Sequence, residues 1–119
     1  MSYDLLFWRR RGGGDRPEEI AAALSDGRPV AGLDALPVDQ IVARVNARFP
    51  LITDGGLTYW EGGADGMFEL YRSPQHVHFC CRQLIGDHCN TLVDIMAEFN
   101  CPLYDPQVHQ MFDAGSTGT

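Results

Sequence analysis

Hydrophobic and polar residues alternate most cleanly in Gly66–Cys81, GMFELYRSPQHVHFCC. The pattern predicts two strands joined by a Ser73-Pro74-Gln75 turn. Phe68, Leu70, Val77, Phe79 and Cys81 fall on one side of this ribbon; Glu69, Tyr71, His76, His78 and Arg82 fall on the other. A ribbon with one apolar and one polar face calls for helices on the apolar face and leaves the polar one free.

The flanking segments supply those helices. Val38, Ile41, Val42, Val45 and Phe49 repeat at helical spacing and predict a helix over Pro37–Phe49, stopped by Pro50. Leu92, Ile95, Met96 and Phe99 predict another over Cys89–Phe99, with Asp87 as its cap and Asn100 in the left-handed closing position. A shorter one starts at Asp15, a cap with Glu18 three residues on as in a capping box; Pro17 lies in its first turn, its stripe is Ile20, Ala23 and Leu24, and Gly27 closes it.

The remaining strands are shorter. Ser2–Trp8, SYDLLFW, is apolar almost throughout, which suggests an interior strand covered on both sides. Leu51-Ile52 reads as a strand stub before the Asp54-Gly55-Gly56 turn, Leu57–Glu61 as a strand, and Gly62–Gly66 as a second turn. Trp60 and Thr58 are expected inward, Tyr59 and Glu61 outward. Cys101–Tyr104 is a last extended segment, and 114–119 has the composition of a disordered tail. The expected architecture is α+β: an antiparallel-rich sheet of four to six strands, with a meander over 57–82 and about three helices on one face. A ferredoxin-like variant would accommodate it, within a single domain spanning 1–113.

Composition narrows the functional classes. The 119 residues are 45% hydrophobic and 10% aromatic, as expected of one folded domain. No apolar run approaches the roughly 20 residues needed to span a bilayer, and arginines follow Met1–Trp8 in the wrong order for a secretory signal, so a cytoplasmic protein is expected. A net charge of −7 disfavours binding to nucleic acid and suits cationic partners. Cys80, Cys81, Cys89 and Cys101 form no CxxC pair and read as reduced thiols, the last three as small core residues.

Three kinds of chemistry can be set against this frame. His76-x-His78, with Glu69 across the hairpin and His88 further on, could make a metal site; the plainer reading is exposed histidines beside glutamate. Cys80 shares the polar face with both histidines, so a thiol enzyme is conceivable, but no nucleophile signature surrounds it. The triple glycine Gly12–Gly14 follows a strand, yet its spacing is neither GxGxxG nor a P-loop, and it reads as a solvated loop. The binding reading uses most of the observations. It places Tyr59, Glu61, Glu69, Tyr71, His76, His78 and Arg82 on one open face rich in tyrosine, arginine and carboxylate, as interfaces are.

SYDLLFW, LPVDQIVARVNARFP, HVHFCCR and the closing FNCPLYDPQ together resemble small bacterial α/β proteins, some of which accompany polymorphic toxins as immunity proteins. The resemblance covers most of the chain up to about Phe112. It implies a stoichiometric inhibitor of a cognate, often basic toxin, with no catalytic residues and no cofactor. The expectation is therefore a non-catalytic acidic protein that occludes a toxin's active site. The alternatives are a small metal- or thiol-dependent enzyme using His76, His78, Cys80 and Glu69, and a homo-oligomer that hides the same face against its own copy.

Overall fold

A computed structural model describes residues 2–10, 16–107 and 110–112 of the chain. The Asp15 cap, the triple glycine and the tail over 114–119 lie outside the described residues. In chain order the elements are β1 (Ser2–Phe7), α1 (Pro17–Ser25), α2 (Val38–Arg48), β2 (Ile52–Asp54), β3 (Leu57–Glu61), β4 (Met67–Ser73), β5 (His76–Arg82), α3 (Gly86–Ala97), β6 (Leu103–Asp105) and β7 (Gln110–Phe112). A 3-10 turn, Gly63–Asp65, joins β3 to β4. The fold is α+β, with all strands in one antiparallel sheet ordered β2-β3-β4-β5-β1-β6-β7. The meander β2-β3-β4-β5 is its sequential half, and β1, β6 and β7 extend it. No helix among the described residues is long and apolar enough to cross a membrane.

Local chemistry accounts for the elements. Gly55 and Gly56 both have positive φ, 61° and 85°, which a two-residue hairpin needs if its twist is to match its strands. Asn100 takes φ 59°, and the Cys101 N–H reaches back to the Met96 carbonyl at 3.1 Å, closing α3 as expected of an asparagine C-terminal to a helix. The helix α3 starts at Gly86, earlier than its apolar repeat suggested. Ile85 holds the cap position and Asp87 sits in the first turn, favourable toward the helix dipole but not a side-chain cap.

Strand alternation sorts the side chains into two cores. Leu5 and Phe7 of β1, Phe68 and Leu70 of β4, and Val77, Phe79 and Cys81 of β5 pack with Ile41, Val45 and Phe49 from α2 and with Leu92, Ile95 and Met96 from α3. Ring contacts tie this core together: Phe49 lies edge-on to Phe68 at 5.4 Å and to Trp60 at 5.0 Å between centroids. Leu6 and Trp8 point the other way and form a second core with Ile20 and Leu24 of α1, Val30, Leu33 and Tyr104. Two helices thus share one face, whereas α1 lies on the other, a difference from the expectation of three helices on one side. The reason is β1 itself: apolar at both parities, it has to be covered on both faces.

The second core is pinned to the β4-β5 turn. The Gln75 amide donates to the Val30 carbonyl and accepts from the Val30 N–H, each at 2.8 Å. At the opposite end Gly66, with φ 95°, runs against the backbone of Gln83 and Leu84, and a Cβ there would collide with the Gln83 carbonyl. Gly66→Ala is expected to cost about 1–3 kcal/mol, read as a lowered urea midpoint at unchanged slope. A midpoint within error of the parent would show that this close approach is not a constraint.

Candidate functional site

The α1 core covers only the β1-β6 end of its side of the sheet. The outward side chains of β3, β4 and β5 remain: Tyr59, Met67, Tyr71 and Cys80 belong to neither core. Register sets them in rows. Tyr59, Glu69, Cys80 and Asp4 stand side by side across four strands. Tyr71, His78 and Leu6 form the next row, and Met67 and Arg82 pair on the other flank, beside Glu61.

Within this face the polar groups bond one another. The Tyr71 hydroxyl donates to Glu69 Oε2 at 2.9 Å, and Arg82 donates to Glu69 Oε1 at 3.3 Å. His78 Nε2 and Asp4 Oδ1 are 2.8 Å apart, and the Tyr71 and His78 rings lie 5.7 Å apart between centroids. The bond to Glu69, together with burial, holds the Tyr71 hydroxyl above its ordinary titration range. Cys80 sits between two carboxylates. Burial, then the charge and hydrogen bond of Asp4, then the charge of Glu69 push its thiol up, against a smaller opposing effect of Arg82. A thiol so placed stays protonated at neutral pH and is a poor nucleophile.

The expected site residues divide accordingly. Tyr59, Glu61, Tyr71, His78 and Arg82 share the open face, Tyr71 with 45% exposure. Glu69 also points to this side but is only 9% exposed, lying beneath Tyr71 and Arg82 instead of standing in water. His76 is the correction. It is 7% exposed, with Nδ1 2.6 Å from Ser73 Oγ, and cannot meet a partner. The register that pairs Phe7 with Val77 brings Trp8 beside it, so His76 lies at the covered end of the face. Alternation gives the side of a residue but not its distance from a covering helix.

The metal reading required His76, His78, His88 and Glu69 to converge, and they do not. Each histidine is engaged elsewhere: His76 by Ser73, His78 by Asp4, and His88 by Asp65 at 3.1 Å, with its ring against Phe49 and Trp60 in the other core. Among the described residues no group of three histidines, cysteines or carboxylates stands close enough together to hold a metal ion. Asp4 is the charged member of the face that the pattern did not single out. Its signal was one polar residue within an apolar strand, opposite in parity to Leu5 and Phe7. None of the protein families, curated proteins or solved structures compared with the chain matches it.

Proposed function

We propose that this chain is a non-catalytic, acidic binding protein that docks a basic protein on its open sheet face. Its partner is a cognate toxin domain whose active site the face covers. The single observation that carries this reading is the uncovered half of the sheet. There, three carboxylates, Asp4, Glu61 and Glu69, surround two tyrosines and face one guanidinium, Arg82, already engaged by Glu69. Tyrosines supply contact area at low entropic cost, and carboxylates in a chain of net charge −7 accelerate encounter with a cationic surface. Cys80, kept protonated, supports binding over thiol catalysis.

The reading is tested by protection. Cells producing a basic toxin domain, sought among the genes that flank this chain's own, are expected to grow only when the chain is co-produced. The Glu61→Arg/Tyr71→Thr double variant is expected to lose that protection. Equal protection by parent and variant would overturn the assignment of the interface, and no protection by either would overturn the function.

A further inference from the structure

Glu69 is the least accessible carboxylate of the open face, and its bonds leave it short of partners. Its side chain is 12% exposed, whereas that of Arg82 is 58% exposed. An ionised carboxylate offers about four acceptor positions, of which Tyr71 and Arg82 fill two. A guanidinium that engages a carboxylate fully does so through two parallel bonds of about 2.7–2.9 Å. Arg82 makes one, at 3.3 Å. Arg82 therefore leaves acceptor positions of Glu69 unfilled among the described residues. Beside this pair runs a groove of about 670 Å³, lined among others by Glu61, Met67, Cys80, Arg82 and Gln83. Among the described residues Arg82 is its one basic lining residue, and it belongs to neither core, so it can swing into water without breaking a core contact.

We propose that Arg82 is a placeholder: an arginine of the bound protein enters this groove, displaces Arg82 and takes Glu69 through both guanidinium nitrogens. The inference rests on the docking reading above and names the residue type that anchors it. The geometry selects arginine over lysine, because a buried carboxylate with two open acceptor positions matches a planar fork and not a point charge. The Tyr71 hydroxyl, bonded to Oε2, fixes the carboxylate plane that the incoming fork meets.

The probes are oligo-arginine and oligo-lysine peptides of equal length, titrated into the full chain at about 150 mM salt, where exposed charges are largely screened. The arginine peptide is expected to bind about fivefold or more tightly than the lysine peptide. Arg82→Gln is expected to strengthen arginine-peptide binding by about fivefold. Arg44→Gln makes the same change of charge on α2, where Arg44 is paired with Glu98, and is expected to change binding by less than about twofold. Glu69→Gln is expected to remove the preference for arginine; should that variant not fold, Arg82→Gln against Arg44→Gln decides. Weaker binding by Arg82→Gln, or an effect equal to that of Arg44→Gln, would overturn the placeholder. Equal binding of both peptides, abolished by Glu61→Arg, would overturn the anchor while leaving an acidic face that docks cations. Binding of neither peptide would overturn both.

Discussion

Phe49→Ala is expected to destabilise the chain by about 3–5 kcal/mol, the cost of emptying a well-packed aromatic site. Phe49 is fully buried at the end of α2, and its ring meets Trp60 of β3, Phe68 of β4 and His88 of α3 at 5.0–5.4 Å between centroids. The Arg48 guanidinium lies 4.8 Å from its centre on the solvent side. Trp60 in turn meets Phe49, Phe68 and His88, so a neighbour that moved into the vacated volume would release contacts of its own. Set against a total stability of about 5–15 kcal/mol, the loss would leave a measurable unfolded fraction at 37 °C. Urea unfolding checks the value, and a loss below about 1 kcal/mol would mean that α2 is not held to the sheet through this residue.

Acid is expected to destabilise the fold through His76. Burial first, and the neighbouring charge of His78 second, lower the pKa of its ring from 6.5 to about 4. The unfolded chain takes up this proton near pH 6.5, whereas the folded chain resists it until about pH 4. Between those values the unfolded state binds more protons, so stability falls as pH drops through the window. The contribution is complete above pH 6.5 and lost by about pH 4. The cumulative loss is about 3 kcal/mol. His76→Gln keeps a polar group facing Ser73 and removes the titration. Urea midpoints at pH 7.5 and 4.5 should therefore differ much less in the variant than in the parent. An unchanged difference would place the acid sensitivity in other groups.

Much of this arrangement was legible in the chain. The 66–82 ribbon alternates over two strands joined by a tight turn, and every one of its apolar residues predicted inward is inward: Phe68, Leu70, Val77, Phe79 and Cys81 are all buried. Period alone suffices there, because a slip by one residue would expose the whole set. The side on which α1 packs was not legible from α1, whose stripe of Ile20 and Leu24 says only that something covers it. The information lay in β1, where Leu5 and Phe7 serve one core and Leu6 and Trp8 the other. His76 and Asp4 were misplaced or overlooked for the same reason. Their surroundings are set by pairing between β1 and β5, more than 70 residues apart in sequence, and no local pattern encodes that register.

The most direct test of the docking face is a calorimetric titration with the cationic protein that the proposed function calls for, sought among the products of the genes that flank this chain's own. Three versions are compared: the parent, Glu61→Arg/Tyr71→Thr on the open face, and Arg44→Gln on the helical side. The account predicts similar tight binding by the parent and Arg44→Gln. It predicts a loss of about 100-fold or more for the open-face variant, measured where urea unfolding shows that variant folded, since removing the Tyr71 hydroxyl takes a bond from Glu69 and lowers the midpoint. Undiminished affinity of the open-face variant, or a parent that buries this face in a dimer of its own copies and binds nothing, would contradict it.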